Sequence, residues 1–198
     1  MKRLLTCLLA LILVLTCVFV MTACGEKEDP KKESEAEDTS SVEETVSTPK
    51  EYVPAEGYKL YTKSGISFAY PKAWTLTDGA QPVMQDINGN NINMTSENTS
   101  KANNELYESL SNDNFMDVFG AAYEAMGMTI GKYDVKKEAN EFGTEVIRCE
   151  FSLTYQGVKM NMYQFIVMGE KKNFVITVTE VTDISDVVDE VFKSITIE

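Results

Sequence analysis

Four cysteines and no histidine define much of the chemistry that this 198-residue chain can carry. A chain without histidine lacks the usual general base near neutral pH and the commonest nitrogen ligand of zinc and copper. Ser-His-Asp and Cys-His nucleophile activation are therefore excluded, whereas chemistry based on carboxylates, tyrosine or lysine is not. Among the cysteines, Cys24 stands where a long apolar run ends and a charged tract begins.

Cys24 follows a leader with the features of an export signal. Two basic residues precede an apolar run over residues 4–20, and Thr22 and Ala23 come directly before the cysteine. A basic region, an apolar core and small residues at the end are typical of a secretory signal peptide. The run is also about as long as a membrane-spanning helix, so length alone does not separate the two interpretations. The charged tract after the cysteine favours export.

The segment Met21-Thr22-Ala23-Cys24 resembles the lipobox of bacterial lipoproteins, with methionine where leucine is usual. The resemblance implies that residues 1–23 are a signal peptide and that Cys24 is the lipidation site, carrying diacylglycerol and further acyl chains such as palmitate. It also implies a location at the cell membrane, facing outside the cytoplasm, with membrane lipid as a partner. Two or more acyl chains anchor stably, because each buried methylene contributes roughly 0.8 kcal/mol.

Cys149 is the other cysteine with a predicted role. The two leader cysteines leave with the signal peptide and Cys24 is acylated, so the mature chain has no intramolecular disulfide. Cys149 alternates with Ile147, Phe151 and Leu153 along one strand. A free cysteine in such a pattern behaves as a small buried hydrophobe, which we favour over a nucleophile or redox sensor.

Residues 24–56 read as an acidic, disordered tether. From residue 25 this segment holds four lysines against eleven acidic residues, a net charge of −7, and its apolar residues are scattered. Such composition cannot build a core, and a chain of this length spans about 30 Å on average. Without the leader the chain carries a net charge of −15. That charge makes a nucleic-acid partner unlikely in electrostatic terms and favours cationic partners.

Residues 57–198 are predicted to form a single domain. Alternating apolar residues predict strands over 66–70, 144–155, 158–168 and 174–181, and Trp74 begins a further short extended piece. The strand over 158–168 is apolar on both sides, which is typical of a central strand covered on both faces. Helical spacing predicts a helix that starts near residue 111 and stops at Gly127, and a last helix that Asp183 or Ser185 caps.

The segment over residues 83–94 predicts a β-hairpin. Asn88-Gly89 is a strong signal for a two-residue turn. That turn pairs Val83 with Met94 and places Ile87 on the apolar face.

The same segment raises a calcium interpretation. Oxygen-bearing side chains stand at loop positions one, three, five and twelve of an EF-hand pattern, namely Asp86, Asn88, Asn90 and Glu97. The required glycine is replaced by Asn91, and Asn93 stands at the apolar position. We therefore predict no metal site here, since a hairpin turn explains the asparagines.

The domain is identified by resemblance as PsbP/DcrB-like. The resemblance rests on GISFAYPKAW near its start, on Tyr70-Pro71 with Trp74, on a mid-chain helix followed by long paired strands, and on the closing VFKSITIE with Ser194-Ile195. It implies an α+β fold, an antiparallel sheet with helices packed on it as an α/β/α sandwich. The family pattern contains no catalytic set to carry over.

These observations favour a non-enzymatic binding or assembly module without a cofactor, acting on a protein partner outside the cytoplasm. The first alternative is a small-ligand or cation-binding lipoprotein that serves a transporter. The second is an envelope hydrolase that uses carboxylates, for which no pair can be nominated. We interpret Trp74 as a core residue rather than part of a ligand cleft, and the methionines over 160–168 as core rather than a copper site or a partner groove. The polar tract 98–112 is predicted to be a surface loop suited to recognition.

Overall fold

The computed structural model of the protein describes residues 52–98, 103–169 and 172–197. One compact unit runs from Glu51 to Glu198 and therefore begins ahead of the predicted boundary at Gly57. Its first described residue, Tyr52, is buried and meets Phe142 edge-on at 5.5 Å between ring centroids. The Tyr52 hydroxyl donates to a carboxylate oxygen of Glu190, which also accepts from the backbone N–H of Ala55 at 3.3 Å. The domain thus already holds the chain at Tyr52, five residues before the predicted boundary at Gly57.

Within the described residues ten strands form two antiparallel sheets, which confirms the α+β class predicted from the sequence. The large sheet has seven strands in the order β3-β4-β5-β9-β8-β7-β6. Their bounds are Thr75–Thr77 (β3), Val83–Gln85 (β4), Asn91–Glu97 (β5), Met128–Ala139 (β6), Glu145–Tyr155 (β7), Val158–Met168 (β8) and Asn173–Glu180 (β9). β9 lies between β5 and β8 and is buried at every position. β8 is buried on both faces from Gln164 to Val167 but exposed at Val158 and Lys159, so the coverage predicted from its apolar run holds for its second half.

The small sheet has three strands and packs with the last helix. Its order is β1-β2-β10, with β1 at Tyr58–Lys63, β2 at Ile66–Pro71 and β10 at Thr196–Ile197. The helix α3 spans Ser185–Ser194 and precedes β10. The Ser194 hydroxyl accepts from the Ala69 backbone N–H at 2.7 Å and donates to the Val191 carbonyl. The two segments that carry the family resemblance, around Tyr70-Pro71 and Ser194-Ile195, are therefore in direct contact.

One face of the large sheet, which we call the α3-side face, is apolar. Its residues share one buried cluster with α3, β2 and Trp74, and they are Met84, Ile92, Met94, Val146, Phe165, Val167, Phe174, Ile176 and Val178. Burial of this kind contributes about 25 cal/mol per Å² of apolar surface removed from water. Trp74 is 9% exposed within this cluster, which confirms its interpretation as core.

The opposite face, which we call the α1–α2-side face, carries two further helices. The first helix, α1, spans Asn103–Leu110 and the second, α2, spans Asp113–Glu124. Phe119 of α2 meets Phe151 of β7 at 5.3 Å and Tyr123 at 4.8 Å between ring centroids. The predicted helix near residue 111 is confirmed, and Gly127 ends it with a φ of +76°, a conformation that glycine adopts without strain.

Two side chains hold the ends of α3. Glu180 is 8% exposed, and its carboxylate accepts from the Ile184 backbone N–H at 3.1 Å and from the Tyr163 hydroxyl at 3.1 Å. At the other end the Asn140 amide donates to the carbonyls of Phe192, Lys193 and Ile195. The N-cap is Ile184, which makes no side-chain cap hydrogen bond, so the predicted cap at Asp183 or Ser185 is wrong; Asp183 stands one residue earlier and accepts from the Ser185 backbone N–H at 3.2 Å. Side chains outside the helix therefore pair with several of the backbone groups at its two ends.

The hairpin over residues 83–94 forms, but its predicted register is wrong by one residue. Met84 pairs with Ile92, Val83 pairs with Asn93, and Ile87 is fully exposed. The turn is longer than two residues because the Asp86 carboxylate accepts the backbone N–H groups of Asn88 and Asn90. A shift of one residue moves the whole strand to the other face, so Met84 rather than Val83 enters the core.

A further prediction is also wrong, and three strands had no prediction at all. The tract predicted as a loop over 98–112 contains α1, where Leu106 and Leu110 are buried at helical spacing. The strands β1, β6 and β10 had no prediction, since polar and charged residues interrupt the alternation of β1 and β6 and β10 is very short. Within the described ranges no helix has the length and apolar character to cross a bilayer.

Candidate ligand-binding site

Cys24 lies outside the described residues, so its lipidation stays a prediction from the sequence. The same holds for the signal peptide and for most of the tether. The described residues therefore bear on what the domain can bind.

Cys149 is a core residue, as predicted. It is 2% exposed, and burial raises the pKa of its thiol to about 12. The neighbours Ile147, Phe151 and Leu153 on the same strand face are buried as well. Tyr133 packs beside the thiol, and burial raises the pKa of its hydroxyl far above the ordinary range. A thiol that holds its proton to this extent is a poor nucleophile.

The loop over residues 86–90 is not an EF-hand calcium site. Asn90 is 1% exposed, and its side-chain oxygen accepts the backbone N–H groups of Val181 and Thr182 at 2.7 and 3.0 Å. Its amide nitrogen donates to the Asp86 carboxylate at 2.7 Å. Glu97 stands at the far end of β5, about 20 Å along the strand from the loop. The oxygens that would bind calcium instead join this loop to the segment between β9 and α3.

The charged side chains on the outer strands pair with one another. Arg148 of β7 is an example: its guanidinium lies 2.7 Å from Glu150 and 3.8 Å from Glu138, and it stacks on the rings of Phe165 and Phe192. An anion would have to displace two glutamates to reach it. Among the described residues no group of three or more Cys, Asp or Glu side chains is arranged to hold a metal ion.

A row of polar residues crosses the α1–α2-side face of the large sheet. Asn93 of β5 pairs with Thr177 of β9, Thr177 with Gln164 of β8, and Gln164 with Cys149 of β7. Directly paired residues share a face and place their Cβ atoms about 4.5–5.5 Å apart. Thr95 stands two residues along β5 from Asn93, diagonal to Thr177. These side chains are thus neighbours on one surface that the protein covers.

We call Thr95, Gln164 and Thr177 the polar cluster. Their exposed fractions are 8%, 4% and 0%. In the part of the chain that the structure describes, Thr95 Oγ1, Gln164 Nε2 and Thr177 Oγ1 are buried atoms without a hydrogen-bond partner. Leaving such an atom unpaired costs about 1–3 kcal/mol, and most buried polar atoms of native proteins have a hydrogen-bond partner in the protein or in ordered water. The polar cluster is therefore the candidate site of this domain.

Sequence reasoning missed the polar cluster although a signal was present. In β5 the sequence NINMT alternates polar and apolar residues, and in β9 the threonines alternate with Phe174, Ile176 and Val178. Gln164 is the polar residue within the otherwise apolar end of β8. Polar residues at alternate positions of strands buried on both sides are the expected signature. Their alignment depends on the strand order, which the sequence does not state.

The methionines of β8 differ in burial. Met162 is buried, which confirms its interpretation as core filling. Met160 and Met168, on the same face of the strand, are half-buried.

Comparison with known proteins shows what the fold resembles. No protein-family model matches this chain, and no curated protein matches it. The solution structure of cyanobacterial PsbP (CyanoP) from Synechocystis is similar with a TM-score of 0.57 and 15% sequence identity, over 74% of this chain and 95% of that one. At such identity the likeness shows the fold alone. The domain has a PsbP-like fold.

Two further solved structures are more distant. A crystal structure from Bacteroides thetaiotaomicron has a TM-score of 0.45 at 9% identity, covering 72% of this chain and 49% of that one. A protein of unknown function from Pseudomonas aeruginosa, PA94, described as a putative regulator, has a TM-score of 0.29 at 13% identity, over 67% of this chain and 87% of that one.

Proposed function

We propose that this protein is a lipid-anchored, extracytoplasmic binding module without enzymatic activity. The observation that carries the proposal is the order of three segments: a lipobox-like leader that ends at Cys24, an acidic tether, and a compact domain that begins at Glu51. Each segment has a physical task, namely retention at the membrane, spacing, and presentation of a folded surface. We further propose that the helices on both sides of the large sheet make the domain an α/β/α sandwich of the PsbP type.

The anchoring is tested by metabolic labelling with palmitate in a bacterial host. The full chain is expected to incorporate the label, and Cys24→Ala is expected to lose it and to leave the membrane fraction. Cys149→Ala is the matched control, because that thiol is buried and should keep both properties. Undiminished labelling of Cys24→Ala overturns the proposal.

The absence of catalysis is supported by how the reactive groups are engaged. Cys149 is buried with a raised pKa, the Glu180 carboxylate accepts hydrogen bonds that hold α3, and the Asp86 carboxylate accepts those of its own loop. These groups already serve the fold. Affinity capture of the lipidated chain from membranes, followed by mass spectrometry, tests for a protein partner. Reproducible recovery of lipid alone counts against an assembly role.

The second candidate function is a small-ligand-binding lipoprotein that serves a transporter. The polar cluster favours it, since three buried polar atoms on adjacent strands have no partner among the described residues. The cation-binding version has less support, because the acidic loop at Asp86 is closed by its own hydrogen bonds. A ligand that raises the melting temperature of the full chain by a saturable amount supports this alternative.

A further inference from the structure

β6 forms one edge of the large sheet. Among the described residues its only neighbouring strand is β7, and it is 12 residues long. The opposite edge strand, β3, has three residues, and the edge strands of the small sheet, β1 and β10, have six and two. The outer side of an edge strand presents backbone N–H and C=O groups with which a further strand can pair. β6 is therefore the longest edge that the described structure offers to another chain.

Charged residues alternate in sign along one face of β6. They occupy every second position and are Lys132, Asp134, Lys136 and Glu138. Glu138 pairs with Val146, which belongs to the α3-side face, so the row lies on that face. The Asp134 and Lys136 side chains are 36% and 56% exposed, and they form an ion pair with each other at 2.9 Å. The row therefore reads plus, minus, plus, minus and can be reached from solvent.

The row begins at a shift in register between β6 and β7. Gly131 and Lys132 lie between the paired residues Ile130 and Tyr133, and both oppose Ser152. A Cβ atom at Gly131 would lie 2.2 Å from the Ser152 hydroxyl oxygen and would have to displace it. Irregularities of this kind bend a strand and limit pairing at its edge. After the shift the pairing with β7 is regular to the end of β6, and this stretch can accept another strand.

The charged row is complementary to its own reverse. An antiparallel pair of two β6 strands, with a two-fold axis at Val135, sets Lys132 against Glu138 of the second copy. It also sets Asp134 against Lys136, and the symmetry repeats both pairs. Opposite charges directly across an antiparallel pair are stabilising, and like charges are destabilising. A shift of one strand by two residues would set Asp134 against Asp134, or Lys136 against Lys136, so the row specifies one register.

The other face of the same pair brings no like charges together either. Val135 meets its own copy across the axis, and Tyr133 lies opposite Lys137, where a cation beside an aromatic ring is a favourable neighbour. Lysines are a common means of keeping an edge strand unpaired, because they repel one another when two edges meet. The alternating row of β6 instead attracts its own reverse.

We propose that β6 is a self-association surface through which two copies of this chain pair antiparallel about Val135. The two large sheets then continue into each other, with seven strands from each copy. A second copy is the occupant that the row favours, because its charges are mirrored with opposite sign about their own centre. Pairing with an unrelated strand does not require that property. The inference goes beyond the proposed function, since it names an interaction that does not depend on lipidation at Cys24.

Disulfide cross-linking of the full chain in membranes tests the proposal. Val135→Cys is made together with Cys149→Ala, since Cys149 is the neighbour of Val135 on β7. Residues directly opposite in an antiparallel pair have Cα atoms about 4.5–5.5 Å apart, which a disulfide can bridge. Mild oxidation is therefore expected to give a covalent dimer of this chain. The Cys149→Ala chain without the new cysteine sets the background.

Thr129→Cys in the same Cys149→Ala chain is the matched control. Thr129 is an exposed residue of the same strand, but in the proposed pair it lies about 40 Å from its own copy. We expect its dimer yield to be at least ten-fold lower than that of Val135→Cys.

Charge reversal tests the register. Added to the Val135→Cys chain, Lys136→Glu sets two carboxylates against each other at two symmetric places and should lower the dimer yield about ten-fold. Asp134→Lys should act likewise through two lysines. A mixture of the two single variants, one of them carrying an epitope tag, should cross-link between variants and not within them. This mixture leaves the Asp134–Lys136 ion pair broken inside each chain, so its recovery reports contacts between chains alone.

Three outcomes overturn the proposal. Equal dimer yields from Val135→Cys and Thr129→Cys mean random collision, and background yields from both mean that the charged row keeps the edge unpaired. Cross-linking of Val135→Cys to a different protein assigns β6 to that partner. A mixture of charge variants that stays as poorly linked as each variant alone rejects the register.

Discussion

The two faces of the large sheet are built from the same strands but differ in kind. In β9, Val178 and Thr177 are consecutive and each is 0% exposed. Val178 joins an apolar cluster with α3 and β2, whereas Thr177 holds a hydroxyl without a partner among the described residues. Equal burial therefore has opposite consequences, since it stabilises the first side chain and penalises the second.

The two faces also differ in how completely their polar groups are hydrogen-bonded. The α3-side face supplies the apolar burial, and the side chains that hold α3 have complete hydrogen bonds, as in Glu180 and Asn140. The α1–α2-side face has aromatic packing near β6 and β7 but buries the unpaired atoms of the polar cluster on β5, β8 and β9. Both faces bury large apolar side chains, and this burial offsets the cost of the unpaired polar atoms on one of them.

The largest expected effect tests the α3-side face. Met84→Ala should lower the free energy of unfolding by about 3 kcal/mol, because it leaves a cavity at a residue that is 0% exposed. Ile87→Ala, three residues further along the same hairpin, should change it by less than about 0.5 kcal/mol, since Ile87 is fully exposed. Urea denaturation measures both. Equal losses of stability in the two variants would instead support the predicted two-residue turn with Val83 paired to Met94.

The next effect exchanges the two faces within β9. Val178→Thr should destabilise the domain by about 2 kcal/mol, because it buries a hydroxyl among hydrocarbons. Thr177→Val should instead raise the free energy of unfolding by about 1 kcal/mol in protein without a bound solute, since it removes an unpartnered hydroxyl. Denaturant titration of the two variants measures both changes in the free energy of unfolding. Equal losses of stability would show that the two faces do not differ in this respect.

A smaller effect concerns pH and Cys149. The unfolded thiol releases its proton near pH 9.0, whereas burial raises the pKa in the folded state to about 12. Between these values the folded state binds more protons than the unfolded state. The contribution of the Cys149 thiol to the free energy of unfolding is therefore fully present below pH 9 and is lost as the pH rises toward 12. The slope due to one proton is about 1.4 kcal/mol per pH unit at most. Cys149→Ala should flatten the stability curve from pH 9 to 10, and an unchanged slope contradicts the burial of the thiol.

The smallest effect lies outside both faces. Tyr52→Phe removes the hydroxyl that donates to Glu190 and should lower the free energy of unfolding by about 1 kcal/mol, while the edge-on contact with Phe142 remains. Tyr155→Phe is the control, because Tyr155 is 39% exposed and its hydroxyl accepts only from the neighbouring Gln156 side chain in the described structure. If Tyr52→Phe lowers the free energy of unfolding no more than Tyr155→Phe does, the hydrogen bond from Tyr52 to Glu190 does not stabilise the domain.

The elements that could be predicted from the sequence are those in which the spacing of the apolar residues shows which face is buried. β2, β7, β8, β9 and the last two helices have apolar residues at period two or at helical spacing, so local pattern and final burial agree. The hairpin register was missed because one carboxylate, that of Asp86, lengthens the turn, and α1 was missed because Leu106 and Leu110 stand in a polar tract.

The polar cluster could not be predicted for a different reason. Thr95, Gln164 and Thr177 come from strands that are far apart in sequence, and only the order β5-β9-β8 places them together. Each residue alone reads as an ordinary polar position of a strand. The missing hydrogen bonds are a property of their shared surroundings, which no local pattern encodes.

The buried Tyr52 has a mechanical consequence. Any pull that reaches the domain along the chain from the predicted anchor arrives first at Tyr52, ahead of β1 at Tyr58–Lys63. Its ring against Phe142 and its hydroxyl on Glu190 tie the entering chain to the β6–β7 turn and to α3. These contacts would have to release before tension could peel β1 from the small sheet. The contacts of Tyr52 with Phe142 and Glu190 would therefore bear the tension first, and the sheets would stay intact until these contacts break.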